Sequence, residues 1–344
     1  MSLSMRERFV REAEPGINEV SPTRSKMRDY DLGLLSIIGV ILVLGLVMVY
    51  SSSIALTDGP SSEVVKFNRY FMMQAIYIFI GFCGMFTVFN INMDKWEELS
   101  FLFFGVAAVL LLLVLMPFIG REINGAKRWI PLGPVNFQPS EMMKMAMVLY
   151  ASRYAIRFRD AIGSLKPFEG FVCGVLPIAA LLGLALILTF LEPDLGASMV
   201  LASICVGVLF LGGLHSFYLA GLGLLGVGLV SAAVLFSSWR LKRLFAFLDP
   251  FSEEYAQSSG YQLVHSLIAI GRGEWTGVGL GFSIEKLHYL PEAHTDFILA
   301  VIGEELGFVG ILTVVILYFL LIFKCFKIGR VAIAMDRYYS GLVA

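Results

Sequence analysis

The chain has 344 residues, of which 58% are hydrophobic and only 15% are charged, and its mean hydropathy is +0.79. This composition excludes an ordinary soluble domain, in which about a quarter of the residues are charged. The formal net charge of −1 argues neither for nor against a nucleic-acid partner, and none is predicted. The cysteines show neither a metal-ligand spacing nor a disulfide pattern, so we interpret them as small buried hydrophobic residues: Cys83, Cys173, Cys205 and Cys325.

Eight apolar stretches approach the roughly 20 residues that a helix needs to cross a bilayer. They predict an all-α polytopic membrane protein, with a single transmembrane domain over residues 30–344. The predicted spans are approximately 32–50, 70–90, 99–119, 140–156, 170–190, 197–214, 217–236 and 297–323, with a large outer loop at 237–295 between helices 7 and 8. The fourth span is the most polar, because it carries Glu141, Lys144 and Arg153.

The leader Met1–Asp29 is charged rather than apolar, which predicts a flexible cytoplasmic tail rather than a cleavable signal peptide. With that leader inside, the inner segments hold more basic residues than the outer ones, so both termini are predicted to be cytoplasmic. The long outer loop is too apolar for disorder and predicts a short amphipathic helix near Tyr261 to Ile270. The glycine-rich stretch Gly271 to Gly281 is interpreted as a flexible loop rather than a nucleotide-binding loop.

The stretch YLPEAHTDFILAVIGEE joins polar residues to the last apolar run. Thr295 is a candidate helix cap, which would place Asp296 in the first turn, near the membrane boundary. An ionised carboxylate beside His294 can accept a proton from a substrate hydroxyl, and Glu292 or His294 could share that role. The alternative interpretation is that Asp296 is only a capping acid.

Two further outer segments carry candidate site residues. In the first, Arg128 and Trp129 are predicted at the interface, and Glu141 and Lys144 share a helix face and can pair. Trp129 could instead be an aromatic-belt anchor, and the Glu141 pair could be structural. In the second, Glu192 and Asp194 flank Pro193, which forces a break, and both are predicted on the same side as Asp296. The alternative interpretation is that they are solvated loop acids.

A compact basic group opens the long loop, and it consists of Arg240, Lys242 and Arg243. Such a group suits the pyrophosphate of a lipid-linked substrate, although attraction to anionic lipid headgroups explains it equally. Glu304 and Glu305 follow inside the last span, where they are expected to have partners on other helices, structural bracing being the alternative.

Four motifs together resemble the SEDS family (shape, elongation, division and sporulation), namely YLPEAHTDFILAVIGEELGFVG, GAKRWIPLGPVNFQPSEMMK, EPDLGAS and FLDPF. Members of this family polymerise peptidoglycan from lipid II, and the run GLGFSIEKLHYLPEAHTDF is more similar to the division branch than to the elongation branch. Members usually have ten spans, two more than the eight counted here. The resemblance extends in order from the first span to the end of the chain.

The resemblance implies roles for particular residues and partners. Asp296 matches the family's essential outer-loop aspartate. Two further motifs match a cavity-lining set, which comprises Arg128, Trp129, Gln138, Glu141 and Lys144 with Glu192 and Asp194. The implied partners are lipid II, membrane lipids, a class B penicillin-binding protein (the septal transpeptidase) and regulators of division, on the outer face of the bacterial cytoplasmic membrane at the septum. No nucleotide is required.

The predicted reaction is therefore glycosyl transfer. Asp296 would deprotonate the 4-hydroxyl of an acceptor N-acetylglucosamine, which attacks the donor's anomeric carbon and releases undecaprenyl pyrophosphate. Lys144, Arg128 and the basic group are candidates to stabilise the leaving group, with or without a divalent cation such as Mg²⁺ or Mn²⁺. The alternatives are a transporter that flips lipid II and a non-enzymatic scaffold of the division complex.

Overall fold

A computed structural model describes residues 31–54, 69–116, 119–123, 126–132 and 135–344, so the predicted tail Met1–Asp29 lies outside the described residues. The described chain is mostly helical. Its helices are α1 (Leu32–Ser53), α2 (Arg69–Phe89), α3 (Met93–Leu115), α4 (Pro139–Arg157), α5 (Arg159–Ile162), α6 (Leu176–Leu191), α7 (Leu195–Leu211), α8 (Ser216–Leu235), α9 (Ser238–Leu248), α10 (Tyr261–Gly273), α11 (Ile298–Ala334) and α12 (Tyr338–Val343).

Six of the described helical segments are long and apolar enough to cross a membrane: Leu32–Ser53, Arg69–Phe89, Met93–Leu115, Phe168–Leu191, Ser216–Leu235 and Ile298–Ala334. The fourth of these begins in a π-helical segment, Pro167–Val175, that continues into α6. Helix α7 is apolar but shorter, and α4 falls outside the set. Both coincide with predicted spans, so the structure gives the predicted helices but not the predicted count of eight crossings.

The described residues form two compact units, which are treated separately. The first unit comprises residues 91–230 and 327–344. Its core lies where α4 packs against α3 and α7, and its fully buried side chains include Leu111, Met143, Met147 and Leu201. Large apolar side chains without exposed surface stabilise such a core by about 1.5–3 kcal/mol each. Helix α4 is therefore fixed by packing even though its sequence is the most polar of the predicted spans.

A small antiparallel sheet precedes α4 in the first unit, and the sequence had not predicted it. Strands β1 (Arg121–Ile123), β2 (Ala126–Leu132) and β3 (Val135–Phe137) are adjacent in that order. Arg121 is opposite Trp129, and Ile130 is opposite Phe137. Because the sheet fixes the register of β2, it determines on which face of the sheet the side chains of Lys127, Arg128 and Trp129 lie.

The second unit comprises residues 31–90 and 231–326. Asp31 caps α1, because its Oδ1 accepts a hydrogen bond from the backbone N–H of Leu34 at 2.9 Å. The amphipathic helix predicted near Tyr261 is present as α10. Its buried Ala269 belongs to a core cluster with Met48 of α1, Leu290 of the loop and Val301 of α11.

Helix α11 is interrupted at Gly307, which has φ 68° and ψ −166°, so the predicted continuous span from Phe297 to Phe323 is wrong at that point. This backbone region is accessible almost only to glycine. A Cβ on Gly307 would lie 2.3 Å from the backbone nitrogen of Gly277, whose own φ is 80°. The two glycines are therefore required by a close approach of two backbones.

The outer loop folds into that interruption. Val278 N–H donates to Glu304 O at 2.9 Å, Gly279 N–H to Glu305 O at 3.0 Å, and Phe308 N–H to the carbonyl of Glu274 at 2.9 Å. These bonds satisfy backbone groups that a broken helix leaves without partners. The interpretation of Gly271 to Gly281 as a flexible loop is therefore wrong: its first three residues end α10, and the rest is held against α11.

Candidate functional site

In the first unit, Arg128 on β2 is bonded to the turn between α6 and α7. Its Nε donates to the carbonyl of Glu192 at 2.9 Å, its Nη2 donates to the carbonyl of Pro193, and its Nε lies 3.8 Å from Asp194 Oδ2. Gln138 Nε2 donates to the same Asp194 oxygen at 3.4 Å. The structure thus brings together two predicted motifs that are separated by about 60 residues in sequence.

Asp194 is also the N-cap of α7, since its Oδ1 accepts the N–H of Ala197 at 3.0 Å. Its carboxylate is therefore shared between a helix terminus and an arginine. The alternative interpretation of Asp194 as a solvated loop acid is wrong, because only 13% of its side chain is exposed.

Glu192 lies at the C-cap of α6 and is fully buried. Within the described part of the chain, neither of its carboxyl oxygens has a hydrogen-bond partner. Burial, together with the negative charge of Asp194, raises its pKa from the ordinary 4.5 to about 8, although Arg128 acts in the opposite direction. At neutral pH this group is therefore mostly a neutral acid rather than the solvated carboxylate that its position in a loop indicated.

The predicted pair on α4 is present: Lys144 Nζ lies 2.7 Å from Glu141 Oε1. The Glu141 side chain is 58% exposed and the Lys144 side chain 24% exposed, so this pair lies at the surface of the unit. Helix α4 has Gln138 at its N-cap and Pro139 in its first turn. Trp129 follows Arg128 on β2, and its side chain is half-buried.

In the second unit, Asp296 is exposed and lies in a turn two residues before α11 begins at Ile298. The predicted position in the first helical turn is therefore wrong. Thr295 does not cap the helix either, because its Oγ1 donates to Glu292 Oε2 at 2.9 Å. Among the described residues, the Asp296 carboxylate has neither a hydrogen bond nor an ion pair. Its oxygens are thus open to a ligand.

Residues around Asp296 fix the path of the turn. His294 is half-buried and makes an edge contact with Tyr70 of α2, with ring centroids 4.3 Å apart. Glu292 and His288 have positive φ values of 55° and 71°, which are uncommon for residues other than glycine. Such conformations persist only where the surrounding structure imposes them.

The predicted basic group lies on α9, but its members have different contacts. Arg240 Nη1 donates to the carbonyl of Ala233 at the end of α8 at 3.0 Å, where a cation complements the helix terminus. The Arg243 guanidinium lies 4.1 Å above the Trp239 ring. Lys242 is exposed. The three side chains therefore do not converge on one anion.

The partners of Glu304 and Glu305 were not predicted. Glu304 accepts from Arg272 Nη1 at 2.9 Å and from the backbone N–H of Ile284 at 3.0 Å. Glu305 accepts from Lys286 Nζ at 2.6 Å. Both carboxylates are fully buried. They have the expected partners on other helices, Arg272 on α10 for Glu304 and Ser51 on α1 for Glu305, and in addition bind loop residues 284 and 286. The lysine in IEKLH was the available signal, but its partner could not be identified without the helix interruption.

No group of three or more His, Cys, Asp or Glu side chains in the described ranges is arranged to hold a metal ion.

The candidate residues form two sets: Arg128, Gln138, Glu192 and Asp194 in the first unit, and Asp296, Glu292 and His294 in the second. Each set combines a basic or carboxylate group with irregular backbone at the end of an apolar helix. Together with the apolar helices, these features define a polytopic helical membrane protein with polar sites at helix ends.

The chain belongs to the cell cycle protein family that groups FtsW, RodA and SpoVE, whose model matches residues 32–344. The resemblance drawn from its motifs is thus confirmed. A protein of Burkholderia thailandensis named "Probable peptidoglycan glycosyltransferase FtsW" is 48% identical over 328 residues, covering 95% of this chain and 70% of the relative. A protein of the same name from Taylorella equigenitalis is 53% identical and covers 88% of this chain and 80% of the relative.

Solved structures give the same fold. One, titled "Structural coordination of polymerization and crosslinking by a peptidoglycan synthase complex", is 27% identical with a TM-score of 0.66, covering 92% of this chain and 84% of that chain. The crystal structure of the rod shape determining protein RodA of Thermus thermophilus is 24% identical with a TM-score of 0.61 and covers 92% of this chain and 82% of that chain. The relatives' shared name agrees with the division branch indicated by the motifs.

Proposed function

We propose that Asp296 is the general base of this chain, which is a peptidoglycan glycosyltransferase by family and by the names of its relatives. In this proposal Asp296 takes the proton from the 4-hydroxyl of the acceptor N-acetylglucosamine of lipid II. The alkoxide oxygen attacks the anomeric carbon of the donor, and undecaprenyl pyrophosphate leaves. The new glycosidic bond forms, and the bond between the donor's anomeric carbon and its phosphate oxygen breaks.

The observation that supports this assignment is the contrast among the five carboxylates between residues 285 and 305. Glu285 is bonded to His265, Glu292 to Thr295, and Glu304 and Glu305 to the outer loop. Only the Asp296 carboxylate is both exposed and without a partner among the described residues. A carboxylate that is accessible and not already bonded has its oxygens available to accept a proton from a bound hydroxyl.

We further propose that the remaining candidates bind lipid II. In the first unit these are Arg128, Trp129, Gln138, Glu141, Lys144, Glu192 and Asp194, and in the second His294, Arg240, Lys242 and Arg243. Lys242 is the cation assigned to the pyrophosphate, because Arg128, Arg240 and Arg243 are already engaged with protein groups and Lys144 is paired with Glu141.

In the proposed topology α4 and α7 cross the membrane in addition to the six long apolar helices, both termini of the chain are cytoplasmic, and Asp296 faces the outside. The enzyme works at the division septum of the bacterial inner membrane with a class B penicillin-binding protein. The related synthase complex, whose title joins polymerisation to crosslinking, supports that partner.

The decisive experiment is glycan-chain formation from purified lipid II, alone and with the cognate transpeptidase. Asp296→Asn should lower the rate about 10²–10⁴-fold, the usual contribution of a general base. Glu253→Gln is the matched control, because Glu253 is an exposed acid of the same loop and lies outside the family motifs. Wild-type rates from a folded Asp296→Asn variant would refute the assignment.

One observation favours a second activity, the transport of lipid II across the membrane. The interruption of α11 at Gly307 is a discontinuous helix, a feature common in transporters. Movement of a fluorescent lipid II between leaflets of proteoliposomes tests it. Transport that persists in Asp296→Asn while polymerisation stops would separate the two activities, and no transport by any variant would eliminate this one.

A further inference from the structure

A buried polar network joins three parts of the second unit. Lys286 Nζ lies 2.6 Å from Glu305 Oε1 and donates to Ser51 Oγ at 3.1 Å. Ser51 Oγ in turn lies 2.6 and 2.8 Å from the two oxygens of Glu305. The Lys286 side chain is 3% exposed and the Glu305 side chain 0%. The network therefore connects α1, the outer loop and α11 through groups that water does not reach.

The Lys286 and Glu305 pair closes a segment of twenty residues with Asp296 near its middle, ten residues after one partner and nine before the other. The neighbouring carboxylate of Glu304 closes the same segment through the backbone N–H of Ile284. Among the described residues, the Asp296 carboxylate has no bond that would hold it. Its position thus depends on the segment that carries it, which is held at its two ends and, between them, by the packing of Leu290 and His294.

We propose that Ser51, Lys286 and Glu305 are positioning residues that hold the Asp296 segment in place for polymerisation; this inference rests on the assignment of Asp296 as the base. Buried ion pairs are a poor source of stability, because the loss of hydration offsets their attraction and well-packed apolar side chains can replace them. Their contribution is geometric instead, because the hydrogen bonds between a carboxylate and an ammonium group favour one arrangement of the groups that form them.

The backbone of the closed segment agrees with this interpretation. Between Lys286 and Asp296 lie His288 and Glu292, both with positive φ. Such conformations relax when the surrounding structure no longer imposes them. Release of the upstream end at Lys286 should therefore let the turn rearrange, and displacement of a reacting group by about 1 Å can lower a rate about 100-fold.

The test compares the wild-type chain with the triple variant Ser51→Ala, Lys286→Met, Glu305→Met, which removes every polar member and leaves no buried charge unpaired. We expect at least a tenfold fall in kcat for lipid II polymerisation, a KM within about threefold and little change in melting temperature. Hydrogen exchange of the amides between residues 287 and 297 should become faster. Lys286→Arg keeps the cation and should retain most of kcat.

Two controls keep the result interpretable. Asp31→Asn with Lys324→Met removes an ion pair between the N-cap of α1 and α11, in which Lys324 Nζ lies 3.1 Å from Asp31 Oδ1, and should leave kcat and exchange of this segment unchanged. Ser51→Ala alone keeps the ion pair and should give a smaller change in the same direction, which serves if the triple variant does not fold.

Wild-type kcat or unchanged hydrogen exchange in the triple variant would overturn the inference. A loss of activity that comes entirely from a raised KM or a lowered melting temperature would do so as well. The exchange measurement does not depend on catalysis. An active Asp296→Asn enzyme would therefore remove the base assignment without deciding whether this network orders the segment.

Discussion

Glu192 and Asp296 are carboxyl groups in opposite surroundings, although the sequence places both at the outer ends of apolar segments. Asp296 is exposed and unbonded among the described residues, whereas Glu192 is fully buried without a hydrogen-bond partner there. Burial favours the neutral form of a carboxyl group. One of these residues is thus suited to accept a proton, and the other retains its own at neutral pH.

This burial of Glu192 predicts a pH dependence of stability. Its native pKa of about 8 lies above the ordinary 4.5, so the folded state binds more protons in that interval and stability falls as pH rises from roughly 5 to 8. Glu192→Gln is always neutral and should flatten this dependence, giving the higher melting temperature at pH 8. Melting curves in detergent across this range provide the measurement.

Glu122→Gln serves as the control for Glu192→Gln, because Glu122 is an exposed acid of β1 in the same unit. It should melt like the wild-type protein at every pH. Equal pH slopes for Glu192→Gln and the wild-type chain would show that Glu192 is ionised in the folded protein, contrary to its burial.

The basic residues of α9 differ in function according to their contacts. Lys242 is exposed, so Lys242→Gln should leave the melting temperature unchanged and raise the KM for lipid II about fivefold, since an exposed charge pair contributes up to about 1 kcal/mol. Arg240→Gln removes the bond to the carbonyl of Ala233 and should lower the melting temperature. If Lys242→Gln left KM unaltered in a titration with lipid II, its role in binding would be refuted.

At the scale of elements, α11 contains a break that the hydropathy pattern does not predict. The apolar run from Phe297 onward is interrupted in sequence only by Glu304 and Glu305, yet the helix is broken at Gly307, where the loop before α11 binds its backbone. Neither glycine is unusual in sequence, since glycines are frequent in membrane helices. The break depends on a contact between residues about 30 apart.

Gly307→Ala tests the importance of this break. An alanine would have to adopt a backbone conformation accessible almost only to glycine, and its Cβ would clash with the backbone of Gly277. We therefore expect the free energy of unfolding to fall by about 1–3 kcal/mol or more. Gly45→Ala is the matched control, because a Cβ there has no atom within 4 Å and alanine favours a helix. Thermal unfolding in detergent compares the two; equal melting temperatures would contradict the role assigned to Gly307.

The sequence predicted long helices well and short elements poorly. The first predicted span agrees with α1 to within a few residues, because about 20 apolar residues leave few alternatives. The sheet of Arg121–Phe137 and helix α9 were missed, since their apolar and basic residues alternate over too few positions to define a period. The bond from Arg128 to the turn after α6 follows from that sheet and could not be predicted without it.

At the scale of the whole molecule, the motifs identified the family more firmly than the residue pattern identified the site. Four motifs in order specify the family, and its model matches residues 32–344. The burial of Glu192 and the pairing of Lys286 depend on tertiary contacts, which a linear pattern of charges does not encode. Family membership therefore indicates the reaction, whereas the structure is needed to distinguish a free carboxylate from a bound one.

The proposed orientation of the chain in the membrane gives the last prediction. If Asp296 faces outward, the loop that follows α9 is outside, and the turn that contains α5 is inside. In a chain whose cysteines are replaced by alanine, a cysteine in place of Ser258 should react with a membrane-impermeant maleimide in intact cells, whereas one in place of Asp160 should react only after the membrane is opened. Both positions are exposed, so burial does not prevent labelling. The reverse pattern would place Asp296 on the side where no lipid II acceptor sugar is polymerised, and the assignment of the base would fail with it.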